Sequence, residues 1–377
     1  MAELLKSWRI WLLFIVLFFA AGLMAFNGLQ FGIDFEGGTL FQIHLAEKVD
    51  NMETVIQVIE SRLNWSGLKE VRIYGAENEF VFVIVPETEE QDVKRIESLI
   101  RRQGQFEVMI DGNVMLSGDG LINVDKDARV PSFEKRGDES IAWNLPFTLN
   151  LDAAEVFRLK AFHECRLTNP ATEKYDCALT YFFIDRPNNA VLVFSSERLQ
   201  EDEAIYATGT NKIPENTDWE EILFNSGAPH FIVNGDQLTE EQITELTILF
   251  SDREKAIVQS ELSDSVKQQL KSIGFVLEEL KSMDKDVAVE EKIPWTFMAT
   301  NLKSIVRLQP SITGNDPYVD TPAKSKLLTE LYITSIESNL EVAQLEREES
   351  KILLTSGSLP VSVESVSHFW TSPTQGK

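Results

Sequence analysis

The side chains able to do covalent or acid–base chemistry are few and dispersed. Four histidines, His44, His163, His230 and His368, stand far apart, and no GxSxG or HExxH element, nor an SxxK with partner residues, accompanies them. His163 and Cys165 form an HxC pair, yet a metal site of this type needs a second HxH or CxxC element, and none follows. No metal and no cofactor is therefore expected. Cys165 and Cys177 bracket the loop RLTNPATEKYD; a disulfide and two separate buried thiols are both compatible with that spacing, and a bridge is permitted if the region lies outside the cytosol. The remaining candidate is FGIDFEGGT from Phe31 to Thr39, with Gly32, Asp34, Glu36, Gly37 and Gly38. It contains neither phosphate-loop pattern. Its residue types describe a turn in which glycines admit close backbone approach and carboxylates mark the start of water.

The elements around this turn explain its position. Ile10 to Phe26 is uncharged and almost wholly apolar, and charge stays absent to Ile33, enough for a helix to cross a hydrocarbon core of roughly 30 Å. Lys6 and Arg9 precede the run, with Trp8 and Trp11 at interface depth, so the N-terminus is expected in the cytoplasm and everything after about residue 30 outside it. A cleavable signal with Ala20, Ala21 and Gly22 as its small-residue site is the rival. The apolar run continues past those residues, which favours a retained anchor.

After the turn, strand and helix signals alternate. Leu40 to Leu45 reads as a strand, Asp50 with Glu53 as a capping box before a helix bearing Val55, Ile59 and Leu63, then strands over 70–74 and 80–85, a helix bearing Val93, Ile96 and Leu99, and a fourth strand over 105–110. This βαββαβ order predicts a ferredoxin-like half over 31–118. A loop-rich connector over 119–140 follows. The pieces PFTL, ALTYFFID, LYITSI and PVSVESV, with two helices, predict a second such half from 141–200 and 323–370, with Val191 to Phe194 as a hairpin strand. Residues 201–322 read as an inserted α/β head. Between 201 and 300 there are 21 acidic and 8 basic side chains, and helical signals include a Thr239/Gln242 capping box. The fold class is thus α+β, one N-terminal transmembrane helix (1–30) followed by two ferredoxin-like halves and an inserted head, with 371–377 as a tail towards a further membrane helix. A net charge of −25 argues against nucleic acid as a partner.

The turn after the first apolar run resembles the signature of the SecD/SecF family of protein-export membrane proteins. Three further stretches are similar to the family in order: GQFEVMIDGNVMLSGDGL from Gly104, NLPFTLNLDAAEVF from Asn144, and ESKILLTSGSLPVSVES from Glu349, whose Gly357, Leu359 and Pro360 resemble the approach to a second membrane helix. PWTFMATNLKSIVRLQP from Pro294 is similar to archaeal members. The resemblance implies a non-enzymatic accessory subunit of the Sec translocon, in the cell membrane, partnered by SecF and the SecYE channel and by unfolded exported polypeptide. It further implies use of an ion gradient through membrane helices beyond this sequence. A resistance-nodulation-division type transporter fragment and a membrane-anchored extracytosolic enzyme are the alternatives.

Overall fold

The computed structural model describes residues 37–68, 70–86, 89–127, 129–136, 140–169, 171–172, 174–187, 189–208, 219–225, 227–282, 292–310, 325–337 and 339–371. These fall into two compact units, one of 37–56, 63–101 and 363–371, the other of 57–62 and 102–362. The expected transmembrane helix lies outside the described residues, and among those described no helix is long and apolar enough to cross a membrane.

In the first unit, β1 (Gly38–Leu45) alternates buried and half-buried residues, which places Phe41, Ile43 and Leu45 on a core face. Helix α1 (Met52–Trp65) follows. Its Glu53 amide donates to Asn51 Oδ1, so Asn51 takes the position expected of Asp50. β2 (Arg72–Ala76) and β3 (Phe80–Val85) make a hairpin, with Glu77 and Asn78 both at positive φ, as a two-residue turn between twisted strands requires. Helix α2 (Glu90–Arg101) buries Val93, Ile96, Leu99 and Ile100.

The chain then diverges from expectation. β4 (Phe106–Ile110) does not close this sheet. All five of its residues are buried, and it lies between β5 (Asn113–Ser117) and a later strand. A strand with no outward-facing residue needs neighbours and cover on both sides, which an edge position cannot supply. β6 (Leu121–Val124), β7 (Phe133–Arg136) and β8 (Ser140–Leu149) follow, with β6 and β7 both paired to β8. Helix α3 (Leu151–Lys160) starts from Asn150, whose side chain accepts from the Ala153 amide. β9 (Cys165–Asn169) and β10 (Lys174–Cys177) form a small hairpin, and β11 (Leu179–Ile184) is the buried partner of β4.

β12 (Ala190–Ser195), expected as a hairpin strand, is instead a central strand of a parallel sheet, because its run AVLVF is buried on both faces. Helices α4 (Ser196–Thr208) and α5 (Trp219–Asn225), β13 (His230–Val233), helix α6 (Glu240–Leu249), β14 (Lys255–Gln259), helix α7 (Asp264–Ser272) and β15 (Val276–Leu280) complete it in the order β13-β12-β14-β15. The Thr239/Gln242 capping box is present. Helix α8 (Trp295–Thr300) leads to β16 (Leu302–Arg307), which pairs with β11. One face of the parallel sheet shares a core with that neighbouring sheet: Leu192, Phe194, Trp219 and Trp295 pack with Met109, Tyr181, Phe183 and Leu302.

β17 (Glu330–Glu337) pairs with β8, and helix α9 (Leu340–Ser356) is capped by Asn339, whose side chain accepts from the Val342 amide. The last strand, β18 (Val363–Thr371), returns to the first unit and pairs antiparallel with β1. The expected second βαββαβ sheet is therefore divided: PFTL and LYITSI pair in one sheet, ALTYFFID lies in another, and the final strand joins a third. The first unit's sheet has the order β18-β1-β3-β2, with α1 and α2 on the Phe41/Ile43 face, where Met52 meets Gly75 and Glu97 meets His368. β18 suits an edge because most of its side chains face water.

Candidate functional site: paired chain exits and a buried arginine

Of the glycine-turn residues, Gly32, Asp34 and Glu36 lie outside the described residues. Gly37 is buried with φ 84°, and a Cβ on Gly38 would stand 2.1 Å from the Val85 carbonyl oxygen. Both positions accept glycine only, one for its backbone angle and one for its closeness to β3. Gly38 is also the register partner of Thr371, whose hydroxyl donates to the Gly38 carbonyl at 2.9 Å. The first and last described strands thus meet end to start.

The second motif is organised by a residue absent from the sequence expectation. Gly357 closes α9 at φ 80°, its amide donating to Leu353 O. Leu359 is buried, donates its amide to Gln103 O at 2.8 Å and accepts from Gln103 Nε2 at 3.2 Å; Pro360 is exposed. Between them lies Arg62, fully buried. Its guanidinium donates to the carbonyls of Arg102, Gln103 (2.6 Å) and Gly357 (3.2 Å), and its Nε reaches Ser356 Oγ. These are carbonyls at and just beyond helix ends, which carry partial negative charge and lack intrahelical donors. Burial pushes the Arg62 pKa down to about 10, opposed by Asp185, so the cation persists at neutral pH. A Cβ on Gly104 would stand 2.6 Å from Arg62 Nη2, so this glycine leaves room for the guanidinium. The sequence signal was present but easily missed: Arg62 lies three residues after Ile59, on the apolar stripe of α1.

The same unit buries further charges. Glu337 accepts from Trp143 Nε1 and Ser335 Oγ, and burial together with Glu346 raises its pKa to about 7 against the pull of Lys303. Lys303 bonds Glu346 at 2.8 Å, Arg186 bonds Glu107 at 2.7 Å, and Arg347 pairs with Asp125 and donates to Asn144 O. Each of these last three pairs joins segments distant in sequence. Cys165 and Cys177, both buried, are joined as a disulfide across the β9–β10 hairpin. Among the described residues no group of three or more His, Cys, Asp or Glu gathers in metal-holding geometry. His44 lies beside Glu364 and His368 beside Glu97.

What these parts define is a mixed α/β scaffold whose first and last described strands pair with each other. The model of the SecD/SecF GG motif matches residues 22–49, which includes Gly37 and Gly38. A protein-export membrane protein SecD of Methanocaldococcus jannaschii is 33% identical over 172 residues, 44% of this chain and 42% of that protein. A SecD of Methanothermobacter thermautotrophicus is 30% identical over 158 residues, covering 41% and 36%. A SecD of Thermococcus gammatolerans is 24% identical over 382 residues, covering 99% and 67%. A crystal structure of SecDF in a super-membrane-facing form aligns over 97% of this chain and 35% of its own, at 12% identity and a TM-score of 0.44. By this motif and these relatives, the chain is similar to the SecD/SecF protein-export membrane proteins, and it spans less than half the length of the first two relatives.

Proposed function

We propose that this chain is the extracytosolic part, with its first membrane anchor, of an accessory subunit of the Sec translocon that assists export of unfolded polypeptide. The pairing of Gly38 with Thr371 carries the reading: a chain that leaves a membrane before residue 37 is brought back, after an excursion through both units, beside its point of departure. That is the geometry wanted of a folded segment looped out from one membrane surface. In this reading residues 1–30 hold the N-terminus in the cytoplasm, the β18-β1-β3-β2 sheet is a ferredoxin-like half, and the disulfide fits an oxidising compartment.

SecF and the SecYE channel would be the membrane partners, and ion-gradient coupling would belong to membrane helices outside these residues. The acidic head would meet the emerging polypeptide through the region from Thr239 to Leu280. Exposed Glu240, Glu241, Glu245, Ile248 and Leu249 on α6 support this by mixing negative charge with apolar surface. The core shared by the parallel sheet and β4, β11 and β16 favours their moving as one body. Site-specific crosslinking from α6 to a stalled export intermediate tests the role. Adducts with the stalled chain support it, and adducts confined to membrane proteins refute it.

A further inference from the structure

β18 ends in two adjacent exposed aromatics. Phe369 is 54% and Trp370 57% exposed, and as neighbours on a strand they point to opposite faces of the sheet. Their register partners are Leu40 and Thr39, so both stand within two residues of the Gly38–Thr371 pair. Elsewhere along this strand Glu364, Ser365, Ser367 and His368 occupy the exposed positions. Large rings on both faces therefore occur only at the end where β1 begins. From Ile33, the last residue of the charge-free run, to Thr39 is six residues, which spans at most about 20 Å even when fully extended.

We propose that Phe369 and Trp370 seat this end of the sheet in the headgroup layer of the bilayer. Amphipathic rings favour that layer, where the apolar body leaves water and the indole N–H keeps a polar partner. A wedge of one ring on each face would set both height and tilt of the sheet, and two aromatics in place of lysines suit a chain whose net charge is −25, since the anchoring needs no attraction to anionic lipid. A lipid occupant follows from where the chain comes from: Ile33, the end of the charge-free run, is too close in sequence for these rings to stand far from the membrane. The inference rests on the membrane-anchor reading of residues 10–33.

The test uses the full chain reconstituted in phosphatidylcholine–phosphatidylglycerol vesicles, with nitroxide labels on F369C, W370C, S365C and A21C variants that retain the native disulfide. Collision with oxygen is compared with collision with a water-soluble nickel chelate. The inference expects the oxygen-to-nickel ratio at positions 369 and 370 to lie several-fold above that at 365, which is about 17 Å from 370 along the strand, and below that at 21. If 21 reports lipid while 369 and 370 match 365, the inference fails and the anchor stands. If 21 itself reports water, the anchor reading fails. Labels at 369 and 370 shielded from both reagents would show a protein partner on these rings, and would also overturn the lipid assignment.

Discussion

Gly38 and Thr371, 333 residues apart, are register partners at the end of an antiparallel strand pair, and the Thr371 hydroxyl closes the pair by donating to the Gly38 carbonyl. The closeness of β3 leaves no room for a side chain on the first of them. Gly38→Ala should therefore shift β1 against Val85 and cost about 1–3 kcal/mol, the usual range for overpacking. Urea unfolding of the full chain in detergent measures it. In a full-length protein, Gly37→Val with Gly38→Val should abolish complementation of an export defect; normal export would show that the turn's geometry is dispensable.

Arg62 neutralises and hydrogen-bonds three carbonyls at once. Arg62→Met strips the side-chain donor from the carbonyls of Arg102 and Gly357 and leaves Gln103 O with the Leu359 amide alone, and the expected loss is on the order of 3 kcal/mol. Arg62→Lys should recover little, because a single ammonium cannot reproduce the planar fork. A lysine variant with the parent's unfolding midpoint would overturn this account.

Glu337 makes stability depend on pH. Its carboxyl is held up near 7 in the fold, first by burial and then by Glu346, while an unfolded chain returns it to the ordinary value of 4.5. The folded state thus holds the extra proton between those values. Stability is greatest below about pH 4.5, falls as pH rises through 7, and is fully reduced above it. The span corresponds to roughly 3 kcal/mol. Glu337→Gln should flatten the difference between unfolding midpoints at pH 5 and pH 8; an unchanged difference would place the titration elsewhere.

The Cys165–Cys177 bond closes a loop with a sequence separation of 12, for which chain entropy alone suggests about 3 kcal/mol. Reduction, or Cys165→Ser with Cys177→Ser, should lower the unfolding midpoint accordingly and loosen the β9–β10 hairpin. A midpoint insensitive to reductant would show that the hairpin stands without its bridge.

The core joining Phe194 and Trp295 to Tyr181 and Phe183 predicts common behaviour in hydrogen exchange. Amides of β12 and β11 should open with similar free energy, and Trp295→Ala should accelerate both. Exchange in β12 far faster than in β11 would restore an independent head.

Local order was well represented in the sequence. The alternation of Phe41, Ile43 and Leu45, the helical stripes of α1 and α2, and the Thr239/Gln242 box each depend on neighbours within a few residues, so spacing alone determined them. The need for glycine at positions 37 and 38 was equally legible, because positive φ and close approach restrict residue type wherever they occur. Partner choice was a different matter. A buried run such as β4 satisfies the same pattern in either of two sheets, and only the packing of the whole chain assigned it to β11 and gave its expected place to β18. The burial of Arg62 among carbonyls brought in from residues 102, 103 and 357 was likewise a matter of tertiary structure. Local spacing determined which residues could face a core; which core each one faced was settled by contacts between segments hundreds of residues apart, whose pairing energy no short window contains.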